Sequence, residues 1–365
     1  MKKGHRPDYI FVSCVAILTV FGLIMLSSAS SDMGKMRFND TYYFLKHQIL
    51  YGLILGILGF LIASNFYYQN WKKIAIYVLL ANIVLLALIF TPLGAAHKGA
   101  SRWLNIGSFS FQPAEFLKIF FIVYIAAWLS NKKQGRQKSF LKGFAPFAAV
   151  SALVGALVLF QPATTILVII MGAALIIYFV SGVKITHLLL IAALAAVALV
   201  SIIYITPYRY ERIKTFFVED EAKDSTSGYQ LNQAQTAIGS GGLFGIGFGK
   251  STTKFKYLPE PIGDSIFAVI AEELGFIGSL LLISVFILFF TRGILIAKKA
   301  GDQFGKLLAT GLISVIAIQT FVHIGAISGI IPLTGVPLPF ISFGGTALAV
   351  FLTMTGIVVN ISKYS

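Results

Sequence analysis

The chain has 365 residues, 57% of them hydrophobic and only 12% charged, with a mean hydropathy of +0.84. A soluble domain carries roughly 25% charged residues, so a water-soluble globular protein is excluded. Apolar runs of about 20 residues recur from end to end and predict an all-α polytopic membrane protein.

The formal net charge of +15 would suggest nucleic acid in a soluble chain. Here the basic residues cluster in short loops, the pattern of membrane topology and anionic headgroups, so membrane lipids and not nucleic acid are the expected partners. The single cysteine, Cys14, lies inside the first apolar run, where it forms no intrachain disulfide and no metal cluster. Lys2, Lys3 and Arg6 precede that run, which is too long for a cleaved signal peptide and reads as a retained first helix.

Ten spans are predicted, at about Tyr9–Ser28, His47–Ala63, Lys73–Phe90, Pro113–Leu129, Phe144–Phe160, Thr164–Val180, Thr186–Thr206, Ser265–Thr291, Phe304–Ile330 and Leu338–Ile361. Gln161-Pro162 separates the fifth from the sixth. Lysine and arginine set the orientation: Lys2, Lys3 and Arg6; Lys132, Lys133, Arg136, Lys138 and Lys142; and Arg292, Lys298, Lys299 and Lys306 fall on one side, the cytoplasm. Both termini then lie inside, and residues 1–365 form one transmembrane domain.

The long segment from Pro207 to Gly263, between the seventh and eighth spans, faces out. It opens with Arg209, Glu211 and Arg212, and passes an acidic cluster at Glu219, Asp220, Glu221 and Asp224 that reads as its exposed tip. Leu231, Ala234 and Ile238 fall at helical spacing and predict a short surface helix. A glycine run from Gly239 to Gly249 follows, which means tight turns and close backbone approach. Gly249-Lys250-Ser251 invites a nucleotide P-loop, but Phe244 stands where that pattern needs glycine, and no strand precedes it. A backbone nest for a lipid-linked phosphate is the alternative.

Three constellations carry chemistry. In the first, a basic loop containing Lys254 leads through Tyr257-Leu258-Pro259-Glu260-Pro261 to Asp264, where an apolar helix begins, with Glu272 and Glu273 deeper in that helix on different sides. An ionisable group in so apolar a chain is a functional candidate by default, although Asp264 also stands where a helix N-cap would. In the second, Gly99, Arg102 and Trp103 are followed by Gln112-Pro113-Ala114-Glu115 and Lys118. Glu115 and Lys118 are three apart and pair on one helix face, either as a structural ion pair or, with Arg102, as a greeting for pyrophosphate. In the third, Pro332, Pro337 and Pro339 with several glycines break the chain between two spans, and Thr334, Ser342 and Thr346 can donate hydrogen bonds in a cavity lined by the unwound backbone. His323, just ahead of it, reads as a packing histidine.

These blocks, in this order, resemble the SEDS family of polytopic peptidoglycan glycosyltransferases typified by FtsW and RodA. The match covers nearly the whole chain, and the string from Pro332 to Thr346 is its most specific part. Three positions depart from the family pattern: Ala163 where an aspartate is usual, His323 where asparagine is common, and Ile262-Gly263 ahead of Asp264. The resemblance implies polymerisation of lipid II on the outer leaflet, with inversion and undecaprenyl pyrophosphate as leaving group. Asp264 matches the family's essential aspartate and would be the general base. Arg102, Lys118, Glu115, Arg212, Lys254, Thr334 and Ser342 would form the substrate and pyrophosphate site.

No metal-ligand spacing demands a metal ion, and a divalent cation, Mg²⁺ or Mn²⁺, is left open as an aid. The implied partners are a cognate class B penicillin-binding protein acting as transpeptidase and other divisome membrane proteins, at the septum of a bacterial cell membrane. An FtsW-type division role is preferred to a RodA-type elongation role. A lipid II flippase and a non-catalytic division scaffold are the rival readings.

Overall fold

A computed structural model describes residues 5–97, 100–106, 109–131, 140–161, 163–217, 226–255 and 257–365. Lys2, Lys3, Lys98, Gly99, Gly107, the basic residues 132–138, Pro162, the acidic cluster 219–224 and Lys256 lie outside the described residues.

Among the described residues, ten apolar helices correspond one for one to the ten expected spans: α1 (Tyr9–Phe38), α2 (Tyr43–Asn65), α3 (Tyr68–Leu88), α4 (Pro113–Leu129), α5 (Ala145–Phe160), α6 (Thr164–Val180), α7 (Ile185–Ile205), α10 (Ile266–Lys299), α11 (Gln303–Ile327) and α12 (Gly345–Ser362). Seven of them are long and apolar enough to cross a bilayer by length and composition; α4, α5 and α6 are shorter. The helix ends differ from the expected ones where charges begin. α1 runs on through Asp32, Lys35 and Arg37 to Phe38, because a helix continues into water at no cost to its charged side chains.

The termini meet. The His5 amide donates to the Lys363 carbonyl at 2.6 Å, and Asp8 pairs with Arg292, near the far end of α10, at 2.6 Å. The chain ends and the Lys298-Lys299 end of α10 therefore share one face, as an even number of crossings requires. The start of α10, with Asp264 just ahead of it, lies at the opposite end.

α4, α11 and α12 form the centre. Leu117, Phe121, Ile122, Leu308, Leu312, Val350 and Phe351 are all buried there. α7 is the reverse, with no buried residue along its length.

Two features were not expected. Between α3 and α4 lies a small antiparallel sheet in the order β1 (Gly94–His97), β2 (Ala100–Ile106), β3 (Phe109–Phe111). Among the described residues, the segment after α7 contains two helices: α8 (Pro207–Phe217), which carries Arg212, and α9 (Thr226–Ser240), which includes the expected surface helix and packs on α10.

α10 contains a break. Gly275 has φ 68° and ψ −167°, outside helical geometry. The glycine run supplies what the break leaves unpaired. Ile246 and Gly247 amides donate to the carbonyls of Glu272 and Glu273 at 3.0 and 3.1 Å, and the Phe276 and Ile277 amides donate back to Gly242 and Leu243 at 2.9 and 3.1 Å. The close backbone approach expected of these glycines is thus an approach to α10. Two of the amides that a phosphate nest would use are taken by its carbonyls.

Candidate active site

Asp264 sits on a loop that is tied down from both sides. The Ser265 hydroxyl donates to the Pro259 carbonyl at 2.8 Å and accepts from Gln230 of α9 at 3.1 Å. On the other side the Ser342 hydroxyl donates to the Gly263 carbonyl at 2.7 Å, and the Phe343 amide donates to the Ile262 carbonyl at 2.8 Å. Ser342 also accepts from the Leu338 amide at 2.8 Å, so one hydroxyl joins the aspartate loop to the proline segment. Asp264 does not cap α10: Ser265 holds the N-cap position, with no side-chain capping bond.

A small cavity opens beside Asp264. Arg212, Gln230, His323, Thr334, Gly335 and Val336 line it with Asp264. The irregular backbone is satisfied carbonyl by carbonyl from different helices. Arg212 donates to Leu333 at 3.3 Å, Thr165 of α6 to Thr334 at 2.9 Å, and Gln319 to Pro337 at 2.8 Å. His323 Nδ1 lies 2.7 Å from the Val336 carbonyl. Non-helical backbone at membrane depth persists only when it is paired in this way.

Of the expected site residues, this cavity brings together Asp264, Arg212 and Thr334, with Ser342 holding the loop behind them. Lys118 and Glu115 are elsewhere. Lys118 is fully buried; its ammonium donates to both Glu115 oxygens at 2.9 Å and to Gln319 Oε1 at 2.7 Å, and lies 5.1 Å from the Phe351 ring. The pair therefore reaches the cavity through Gln319, which holds Pro337. Gln319 was missed in the sequence, because a lone glutamine within a span belongs to no motif. Arg102, on β2, is half-buried, and its Nε donates to the Gln161 carbonyl at 3.1 Å, four residues ahead of Thr165.

Lys254 is also buried away from this cavity. Its ammonium meets Glu273 at 2.8 Å, Ser28 of α1 at 2.9 Å and the Gly249 carbonyl at 2.9 Å. Glu273 accepts from Ser28 as well, at 2.6 Å, while Glu272 accepts from the Ser251 hydroxyl at 2.5 Å, from the Thr252 amide at 3.0 Å and from the Thr253 hydroxyl. The two adjacent glutamates share the loop: the Ser251 amide donates to Glu273 at 3.4 Å while its hydroxyl bonds Glu272, and Glu273 alone reaches on to α1 through Ser28.

A family model described as "Cell cycle protein", covering FtsW, RodA and SpoVE, matches residues 8–365. The chain belongs to the FtsW/RodA/SpoVE family. Stage V sporulation protein E of Bacillus subtilis (strain 168) is 37% identical over 364 residues, covering 100% of this chain and 99% of that protein. The probable peptidoglycan glycosyltransferase FtsW of Geobacter sp. (strain M18) is 36% identical over 364 residues, covering 99% and 98%.

Among solved structures, a chain from work on the structural coordination of polymerization and crosslinking by a peptidoglycan synthase complex superposes with a TM-score of 0.80. It is 25% identical, with 98% of this chain and 97% of that one covered. The rod shape determining protein RodA of Thermus thermophilus shares the fold, with a TM-score of 0.72 at 24% identity over 98% of each chain.

Against that family, the Ala163 departure falls at the N-cap of α6, two residues ahead of the threonine that holds Thr334. Among the described residues, no three of His, Cys, Asp and Glu come together as a metal site. Asp264 shares its cavity, among the described residues, with a guanidinium and no second carboxylate, an arrangement that does not fit a divalent cation.

Proposed function

We propose that the chain is a peptidoglycan glycosyltransferase that polymerises lipid II at the outer leaflet, with Asp264 as general base. The observation that carries this reading is the placement of Asp264 in one cavity with Arg212, at the end of the bundle opposite the chain termini. Relatives named as peptidoglycan glycosyltransferases over nearly full length support the reaction class.

The chemistry follows from the groups present. A sugar hydroxyl is a weak nucleophile at neutral pH and gains from a positioned carboxylate. As its oxygen bonds to the anomeric carbon of the donor, the bond from that carbon to the diphosphate oxygen breaks, and the hydroxyl proton passes to Asp264. One displacement inverts the anomeric configuration. The lipid diphosphate leaves with its electron pair, and Arg212 is placed to balance that charge, helped by a planar fork suited to phosphate oxygens. Arg102 is a second candidate cation on the sheet side. Lys118, Glu115 and Lys254 are assigned to holding the site: each is sealed in an internal ion pair.

The partner in this reading is a class B penicillin-binding protein, in keeping with the synthase complex named for the structural relative. The sporulation and FtsW relatives favour septal over lateral wall synthesis. The flippase reading gains no specific observation.

The test is Asp264→Asn, purified with its partner and given labelled lipid II. Base catalysis contributes about 10²- to 10⁴-fold, so polymer on a gel should fall by at least about a hundredfold while thermal unfolding is unchanged. Polymer at a near wild-type rate removes Asp264 from the role.

A further inference from the structure

His323 lies one helical turn beyond Gln319 on α11, and both side chains turn toward the proline segment. Its Nδ1 is 2.7 Å from the Val336 carbonyl. A carbonyl only accepts, so Nδ1 carries the proton, and in the neutral ring Nε2 presents a lone pair. The residue is 1% exposed, and Nε2 is buried without a hydrogen-bond partner among the described residues. Buried polar atoms are almost always paired, and each exception calls for an explanation.

A packing role accounts for half of this ring. The bond to Val336 satisfies a carbonyl in unwound backbone, but an asparagine would carry a donor at the same δ position and could make that bond. What histidine adds is an acceptor one bond further out. That acceptor belongs to a residue lining the cavity that holds Asp264 and Arg212.

We propose that His323 Nε2 accepts a hydrogen bond from a hydroxyl or amide N–H of the sugar that enters the Asp264 cavity. This rests on the glycosyl-transfer reading above. The lone pair selects the ligand chemistry: a phosphate or carboxylate oxygen brings no hydrogen to it, whereas a sugar rich in hydroxyls does. Asp264 then takes the proton of the attacking hydroxyl, Arg212 faces the charge that leaves, and His323 fixes the orientation of the ring between them.

Two substitutions separate the halves of the imidazole. His323→Asn keeps a donor for Val336 and removes the ε acceptor; His323→Gln places an amide oxygen near the position of Nε2. Each is made in the full chain, assayed with its partner over a range of lipid II concentrations, and melted alongside wild type. One lost buried hydrogen bond corresponds to about a tenfold change.

The expected result is a KM raised about tenfold in His323→Asn with kcat within about twofold, and both constants within about threefold of wild type in His323→Gln. A wild-type KM in His323→Asn overturns the proposal, as does a His323→Gln chain as impaired as His323→Asn. Should His323→Asn melt well below wild type, both variants are assayed at a temperature where each stays folded, and a KM that His323→Asn does not raise above that of His323→Gln overturns the proposal. Asp264→Asn runs in parallel. If it stays active, the site reading fails; if it is dead while His323→Asn is unchanged, only the assignment of His323 fails.

Discussion

Asp264 and Arg212 flank Gly335: a Cβ at that glycine would lie 3.3 Å from Asp264 Oδ2 and 3.8 Å from Arg212 Nη1. The carboxylate and the guanidinium thus approach one stretch of bare backbone from two sides. Arg212 comes from α8 and Asp264 from the loop before α10, and the proline segment and Gln230 of α9 join them in one cavity.

Gly335 should therefore be the least replaceable residue of that segment. Its φ of +68° already disfavours any L side chain, at roughly 1–2 kcal/mol. An added methyl would also press against the Asp264 carboxylate. Gly335→Ala is expected to lose more than tenfold in polymerisation while its unfolding temperature falls by only a few degrees. A rate equal to wild type, measured on folded protein, would show that the cavity has room the structure does not give it.

The buried pair Lys254 and Glu273 makes a stability prediction. Both side chains are 1% exposed or less and 2.8 Å apart. Removing one partner leaves the other charge buried and uncompensated, a loss of about 3–5 kcal/mol. Lys254→Met and Glu273→Gln should each lower the unfolding temperature in detergent sharply, whereas the double variant should lose much less than the two single losses combined. Additive losses would mean that the ion pair is not what joins α1, the loop and α10.

The spans were legible because apolar runs of bilayer length have few other meanings; Asp264 stood out because a lone carboxylate at the head of such a run is costly, and the structure places it in a cavity. The sequence did not disclose depth. The spacing of Glu115 and Lys118 correctly predicts their pairing, but spacing cannot tell a pair at the mouth of a cavity from one sealed beneath it, and these two are sealed. Lys254 misled for the same reason: a lysine in a basic loop reads as exposed until Glu273 and Ser28 are seen around it. The sheet from Gly94 to Phe111 was missed because strands of three to seven residues with glycine between them resemble any turn-rich connection. Glu272 and Glu273 were expected on different sides of their helix, but both meet the loop at Ser251, and only Glu273 also reaches α1; partners at such sequence separations leave no local pattern.

Gln319 tests the link between Lys118 and the cavity. Its amide nitrogen holds the Pro337 carbonyl at 2.8 Å while its oxygen accepts from Lys118 at 2.7 Å. Gln319→Leu removes both bonds and leaves a carbonyl and one ammonium hydrogen unsatisfied. Such groups cost about 1–3 kcal/mol each. Polymerisation at saturating lipid II should fall on the order of tenfold, with a lower melting temperature. A variant that melts lower but turns over normally would limit Gln319 to packing.

The glycine run offers a contrast between two neighbours. At Gly241 a Cβ would sit 2.0 Å from the Ala271 carbonyl oxygen and 3.1 Å from the Glu272 Cα, so the loop could not close on α10. At Gly239 a Cβ would meet nothing within 4 Å, and its backbone is helical. Gly241→Ala must push the loop away and unpair the carbonyls that the break at Gly275 exposes, which predicts poor membrane expression and early unfolding. Gly239→Ala places a better helix former near the end of α9 and should be neutral or stabilising by up to about 1 kcal/mol. Expression yield and thermal unfolding of the two variants, measured side by side, decide the matter. Equal behaviour would mean that the run does not clamp the broken helix and that its glycines serve some purpose other than close approach.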